Sequence, residues 1–429
     1  MLDLAPDPAT SPETGEPQET SDAATSTARL LAQQPLAGRK VLIVVENLPV
    51  PFDRRVWQEA TTLRQAGATV SVICPKGKGY QGDYEQIDGI HIYRHSLPLD
   101  AKGALGYLVE YGTALFHELR LSLKVARCHG FDTLHACNPP DLLFLLAWPL
   151  RLFGVRYIFD HHDINPELYE AKMGKRGLFW HLMVMFERLN FAAAHVVIST
   201  NQSYRRIAIE RGNKRSSDIF VVRSGPNIGK LRPTPPDPAL RNGRKHLVAY
   251  VGVMGDQEGI DLLLESVRHL VYDLGRSDIQ FCLVGGGTSL DELIALSAKL
   301  GLSDYVTFTG RAPDETLFRV LSTADVCVNP DRVNAMNDKS TMNKILEYMA
   351  FGKPIVQFDV TEGRFSAQEA SLYAKANAPQ DFADKIVDLI VDPAQRQRRG
   401  AIGRQRVLHG LSWDHEIPNL IAAYRHATR

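Results

Sequence analysis

Residues 40–75 read KVLIVVENLPVPFDRRVWQEATTLRQAGATVSVICP. KVLIVV is a short, continuous apolar run rich in β-branched side chains, the pattern of a strand buried on both faces. From Arg54 to Gln65 the apolar residues recur at helical spacing, and TVSVIC is a second β-branched run. Strand, helix and strand in this order make the βαβ unit of a parallel sheet.

The same alternation continues through DTLHA (132–136), VRYIFD (155–160), HVVIST (195–200) and IFVVR (219–223). It breaks at KLRPTPPDPALRNGRK (230–245), whose prolines cannot continue a helix or a central strand. A second series follows, with HLVAYVG, IQFCLVGGG, YVTFTG, DVCVNP, PIVQFD and SLYAK in turn. The expected fold is α/β, with two doubly wound Rossmann-like halves facing across a cleft where ligands of such sheets bind. The expected boundaries are a disordered tail over 1–37, a first domain over 38–232 and a linker over 233–244. A second domain covers 245–410, and a last helical segment over 411–429 is free to pack back on the first.

Composition narrows the class. Lys plus Arg and Asp plus Glu both number 49 in 429 residues, so no global field attracts nucleic acid, and an anion site has to be built locally. Cys74, Cys128, Cys137, Cys282 and Cys327 show no metal spacing and read as buried thiols of a reducing compartment. The longest apolar run, LLFLLAWPL (142–150), is far shorter than the ~20 residues of a membrane span. The first residues are acidic and rich in Pro, Ser and Thr, without the apolar core of a signal peptide. A cytoplasmic protein is expected.

Two stretches carry candidate chemistry. LVGGGTSLDELIAL (283–296) runs from strand through glycines to helix, where Gly286 and Gly287 let a phosphate approach the backbone, although any strand-to-helix turn favours glycine. The G-x-G-x-x-G spacing of a dinucleotide site is missing. NDKSTMNKILEYMAFGKPIV (337–356) has Asp338, Ser340 and Thr341 as candidate helix caps, then an apolar stripe ended by Gly352 and Pro354. Asn343, Lys344 and Glu347 form a polar edge beside that stripe, which alone is also compatible with a solvated charge pair.

The order of these elements resembles the retaining glycosyltransferases of family four, which have a GT-B fold, and within them a bacterial polysaccharide group. The resemblance covers nearly the whole chain after the tail. It rests on the stretch quoted first, on HACNPPDLL and DHHDINPE, and on YVGVMGDQEGIDLLLESV, LVGGG, FTGRAPDETLFRVLSTADVCVNP and NDKSTMNKILEYMAFGKPIV with QFDVTEGRFSA. It implies a UDP- or GDP-sugar donor, a saccharide acceptor and no metal cofactor. Glu347 would accept hydrogen bonds from the ribose hydroxyls, a task that suits a carboxylate. Ser340 and Thr341 would aim amides at the sugar and diphosphate, Lys344 would add charge, and His162 with Asp163 would meet the sugar near its anomeric centre. His161 is a neighbouring alternative to His162.

Several positions depart from the family pattern. The E-x7-E signature has Lys339 at its first position, so Asp338 is the candidate to contact the sugar instead. The cations that clamp the diphosphate fall at Val253 and Glu258, which leaves Lys344, Arg364, Lys339 and Arg311 as candidate replacements. FDRR replaces the acceptor loop's glycine pair, so Arg54 and Arg55 could bind an acceptor phosphate or simply open a helix. His135, in HACNPPDLL, falls with the acceptor residues. No D-x-D occurs, consistent with helix dipole and cations doing the work of a metal. The segment 171–191 joins Lys172, Lys175 and Arg176 to Leu178, Phe179, Trp180 and Met183, which fits peripheral contact with an anionic membrane and a lipid-linked acceptor, or a buried helix with a basic leader. A GT-B sugar-nucleotide epimerase and a non-catalytic nucleotide-sugar-binding subunit are the rival readings.

Overall fold

In the computed structural model, which describes residues 19–77, 79–96 and 103–428, each half of the chain builds one sheet. The first half runs α1 (Glu19–Ala32), β1 (Lys40–Val45), α2 (Arg54–Gln65), β2 (Thr69–Pro75), β3 (Tyr84–Ile87), β4 (Ile90–His95) and α3 (Gly103–Cys128). It continues through β5 (Thr133–Cys137), α4 (Phe144–Arg151), β6 (Arg156–His161), α5 (Asn165–Met173), α6 (Leu178–Ala193), β7 (Val196–Ser199), α7 (Gln202–Glu210) and β8 (Ile219–Val221). The second half runs β9 (His246–Val251), α8 (Ile260–Arg268), β10 (Ile279–Val284), α9 (Leu290–Lys299), β11 (Val306–Gly310), α10 (Asp314–Thr323), β12 (Val326–Asn329) and α11 (Asn343–Ala350). It ends with β13 (Ile355–Phe358), α12 (Thr361–Ala367), β14 (Ser371–Ala374), α13 (Pro379–Val391), α14 (Pro393–Arg406) and α15 (Trp413–Ala427).

The first sheet has the order β3-β4-β2-β1-β5-β6-β7-β8 and the second β11-β10-β9-β12-β13-β14. Only the β3–β4 pair is antiparallel among the strand pairs described. The period of two explains why β1 needs an apolar residue at nearly every position. Val41, Ile43 and Val45 pack with Val56, Ala60 and Leu63 of α2, while Leu42 and Val44 face the opposite layer with Val125 and Leu134. Each fully buried aliphatic side chain of this kind contributes about 1.5–3 kcal/mol. Strand order reverses around β1 and again around β9, and both reversals open toward the cleft.

The last helix completes the first core. Trp413, Ile417, Leu420 and Tyr424 of α15 belong to the cluster built on β1 and α2, and Trp413 Nε1 donates to Thr62 Oγ1 at 3.0 Å. The tail expected to be disordered is corrected from residue 19 onward, while residues 1–18 lie outside the described residues. α1 sets Leu30 and Leu31 against that cluster, and Thr27 Oγ1 donates to the Asp414 carbonyl at 3.0 Å. Burial of these few apolar residues, invisible in the average composition, is what orders an otherwise polar segment.

The proline-rich segment is pinned to the second half. Thr234 N donates to Ser322 Oγ at 3.0 Å, Asp237 N to Thr323 Oγ1 at 2.9 Å, and Arg241 pairs with Asp325 at 2.8 Å. A second correction concerns Cys128, which is exposed at the end of α3, unlike the four buried cysteines. No helix among the described residues is long and apolar enough to cross a membrane.

Candidate active site

Loops at the carboxyl ends of both sheets, with the start of α11, enclose two adjoining cavities. The smaller, about 320 Å³, is lined by His162, Asp163, Tyr204, Glu258, Asp331, Ser340 and Thr341, among others. The larger, about 390 Å³, is lined by Phe52, Arg54, Trp57, Tyr80, Asp314, Phe318 and Glu347, among others. Arg55, Ser224 and Asn343 line both, so the two cavities meet at the first residue of α11.

α11 begins at Asn343, later than the caps expected at Asp338, Ser340 and Thr341. Its N-cap is Met342, and no side chain caps it. The first-turn amides of an α-helix lack intrahelical partners, so here they can be offered to an anion. Lys344 and Glu347 then diverge. The Lys344 ammonium lies 2.7 Å from Asp331 Oδ1 and 5.0 Å from the centre of the Tyr250 ring. Glu347 Oε1 accepts from Arg54 Nη1 at 3.2 Å across the cleft, and Arg54 also pairs with Asp314 at 2.5 Å. Burial raises the Glu347 carboxyl above its ordinary range, with Arg54 drawing it back.

The loop before α11 divides the expected residues. Ser340 Oγ donates to the Met336 carbonyl at 2.9 Å and meets the Tyr204 hydroxyl at 3.1 Å. Thr341 Oγ1 accepts from Asn201 Nδ2 at 3.1 Å. Asp338 is a correction. Its carboxylate accepts from Thr361 N at 2.8 Å, at the start of α12, and is not among the residues lining the cavities. Lys339 is another, because its ammonium is held by the Ala335 carbonyl at 2.9 Å. So is Arg364, which pairs with Asp359 at 2.5 Å and stacks on Tyr373 at 3.9 Å, outside both cavities. Lys344 is corrected in part, since Asp331 already neutralises it.

Arg311 stays at the cleft, its guanidinium 4.0 Å from the centre of the Phe52 ring in the opposite half. A Cβ on Gly286 would meet only Arg311, at 3.6 Å. A Cβ on Gly287 would fall 2.3 Å from the Met254 carbonyl oxygen, so close backbone packing is enough to require that glycine. Neither glycine is among the residues lining the two cavities.

On the first-half wall the two histidines take different places. His161 is fully buried, with Glu187 at 3.3 Å, whereas His162 lines the smaller cavity. Asn138, following β5, shapes the loop: its Oδ1 accepts from His162 N at 2.7 Å and Asp163 N at 3.2 Å. His162 Nε2 sits 2.6 Å from Asp160 Oδ2 and 2.8 Å from Arg55 Nε. Burial holds the Asp163 carboxyl above its usual range, and burial likewise raises Glu258. With Asp331, the smaller cavity therefore presents three carboxyl groups, which suit the hydroxyls of a sugar.

Behind His162 lies a buried network that corrects two acceptor assignments. Arg55 Nη2 donates to Asp160 Oδ1 at 3.0 Å and lies 3.1 Å from Glu59 Oε1. His135 Nε2 is 3.2 Å from Asp160 Oδ2, and its Nδ1 meets the Tyr424 hydroxyl of α15 at 2.7 Å. Burial alone would favour the neutral forms, but Arg55 draws the Asp160 carboxyl well below its range and is itself raised. Glu59 is pushed well above its range by burial, and burial lowers His135. Arg55 and Asp160 are thus the ion pair of the set, with Glu59 and His135 both shifted toward their neutral forms. His135 is inaccessible to an acceptor, and the charge of Arg55 is already matched by Asp160. Ligand-type atoms of Glu59, His135, Cys137 and Asp160 come within 4.8 Å of one another, but the Arg55 guanidinium already supplies the cation there.

Sequence reasoning passed over Asp331, Asp160, Glu59, Tyr204 and Asp314. Asp331 had a signal, since it lies just past the end of strand β12, after Pro330, beside the reversal of strand order. Tyr424 had none, because its contact with His135 spans 289 residues.

Two parallel α/β sheets facing across a cleft define the GT-B class. Family models match both halves: the glycosyl transferase 4-like domain matches residues 53–225, and the glycosyl transferases group 1 model matches 245–392. The chain belongs to this glycosyltransferase family. Among relatives, it is 29% identical over 248 residues to a D-inositol 3-phosphate glycosyltransferase of Nocardia farcinica, covering 54% of this chain and 52% of the relative. The chain thus spans about half the length of the curated relatives it matches first. Among solved structures, sucrose-phosphate synthase from Thermosynechococcus elongatus superposes with a TM-score of 0.75 at 20% identity, covering 90% of this chain and 98% of that one. Anabaena Alr3699/HepE in complex with UDP-glucose gives a TM-score of 0.68 at 15% identity, covering 90% and 99%.

Proposed function

We propose that this protein transfers a sugar from a UDP- or GDP-sugar to a hydroxyl of a saccharide acceptor, as a step in assembling a bacterial polysaccharide. The observation that carries the reading is the carboxylate of Glu347, set one turn into α11 beside the first-turn amides and facing the larger cavity. A ribose would bond Glu347, the diphosphate would meet the amides at Asn343 where the cavities join, and the sugar would occupy the acidic cavity beside His162 and Asp163. The UDP-glucose complex of the Anabaena structure supports a nucleotide-sugar donor. In this reading no divalent ion is needed and the anomeric configuration is retained, which proton NMR of the product would read directly.

Calorimetric titration of UDP and GDP into the wild type and Glu347→Ala tests the core of the proposal. Hydrogen bonds to a charged group contribute about 1.5–3 kcal/mol, so the mutant should bind the preferred nucleotide roughly 10- to 100-fold more weakly. Equal binding by the mutant would remove Glu347 from the donor site.

The acceptor in this reading is lipid-linked. Leu178 and Phe179 are exposed at the start of α6, as are Leu182 and Met185, behind Lys172, Lys175 and Arg176. Trp148, Leu152 and Phe153 add exposed apolar surface at the end of α4, which packs on α6. Apolar surface beside basic charge suits an anionic bilayer. Replacing the three basic residues with Ala should abolish cosedimentation with anionic vesicles at low salt, and unchanged cosedimentation would exclude this contact.

A further inference from the structure

Arg54 and Arg55 are consecutive, yet only Arg55 is fixed. α2 is anchored through Asp53, whose carboxylate accepts from Val56 N at 3.1 Å, and through Arg55 in the buried network. The Arg54 side chain leaves that anchored base and is 60% exposed. It reaches out of the first half to Glu347 and Asp314 in the second. Exposed ion pairs are weak holds, so this guanidinium can be displaced.

Most candidate cations for a donor diphosphate are already committed, and beside Arg54 there remain Arg311, stacked on Phe52, and Lys230, which lines the larger cavity. Lys344 is neutralised by Asp331, Arg55 by Asp160, and Arg364 by Asp359 away from the cavities. Val253 and Glu258 occupy the positions where the family resemblance leads one to expect cations. Arg54 lines the larger cavity, next to the junction at Asn343 where the diphosphate would lie. One of its two present partners, Glu347, is the carboxylate that the ribose requires.

We infer that Arg54 is a donor-responsive cation: it holds Glu347 across the cleft, yields Glu347 to the ribose hydroxyls, and turns to the diphosphate at the start of α11. This rests on the nucleotide-sugar reading above. One arginine would then couple occupation of the donor site to release of a contact between the two halves, with no change in total charge.

The inference makes nucleoside and nucleotide respond in opposite directions. In Arg54→Ala, uridine should bind about threefold more tightly, because a competitor for Glu347 is gone, while UDP should bind roughly tenfold more weakly, because a phosphate cation is gone. Guanosine and GDP form the second pair, and ligand-observed NMR serves the weaker nucleosides. Arg54→Lys, which keeps the charge, should restore most of the UDP affinity. Parallel shifts of nucleoside and nucleotide, or no shift in either, would overturn the inference while leaving the donor reading intact. If the wild type binds neither UDP nor GDP, the donor reading itself falls and takes the inference with it.

Discussion

The first-half wall of the cleft holds Asp160, Glu59 and Arg55 in a buried network, whereas on the second-half wall Glu347 takes its partner, Arg54, from across the cleft. Asp160, Arg55, His135 and Tyr424 are hydrogen-bonded to one another, with Glu59 beside Arg55, and all but Arg55 are shut off from the cavities. Such a network costs desolvation but fixes geometry, and it reaches the cavities through Arg55 and the neighbouring His162. Glu347 instead has as its hydrogen-bond partner Arg54, a side chain that is itself 60% exposed. The difference separates groups that position from groups that bind. A side chain surrounded by permanent partners can orient a neighbour, and a side chain held by a displaceable one can accept a ligand.

The largest expected effect breaks the closed side. Asp160→Asn removes the counter-charge of the buried Arg55, and loss of one partner of a buried pair costs about 3–5 kcal/mol. Here Glu59 stands 3.1 Å from the guanidinium, and burial first, with the Asp160 charge adding to it, pushes its carboxyl well above its range. It can ionise in the mutant and take over, so the cost should fall at the low end, about 3 kcal/mol. Adding Glu59→Gln removes the reserve, and the double mutant should lose more stability than the two single mutants summed. Urea unfolding of the four proteins checks this. Additive losses would mean that Glu59 and Asp160 do not share Arg55.

This contrast was half legible in the sequence. The two-sheet architecture, the proline break, Glu347 and His162 could be read because each lies in a continuous stretch with its own periodicity or motif. The network could not, since Glu59, His135, Asp160 and Tyr424 come from four elements and meet only when β1, β5 and β6 lie side by side beneath α15. Asp338, Lys339 and Arg364 were misread for a related reason. Their charge types suited a phosphate or sugar, but local partners at Thr361, Ala335 and Asp359 claim them first. Side-chain type survives in a sequence, whereas the direction in which a loop points it does not.

The smallest effect concerns the open side and sharpens the comparison most. Burial raises the Glu347 carboxyl above its ordinary 4.5, and Arg54 opposes the rise. Ribose hydroxyls need the carboxylate form, so the free protein binds the proton that the complex must release. Nucleoside affinity therefore climbs with pH through the raised value and levels off above it. Uridine or guanosine is the right probe, because the terminal phosphate of a nucleotide titrates near pH 6 and would add its own slope. A few-fold gain in affinity between about pH 5 and pH 7 is expected in the wild type, and none in Glu347→Gln. In Arg54→Ala the gain should move to higher pH, because the one cation lowering the carboxyl is gone. A network-held carboxylate such as Asp160, kept ionised by several partners, would show no such movement on loss of a single surface arginine. If the Glu347 profile also stays fixed in Arg54→Ala, the two walls do not differ in the way argued here, and Glu347 must be held by the fold and not by its partner.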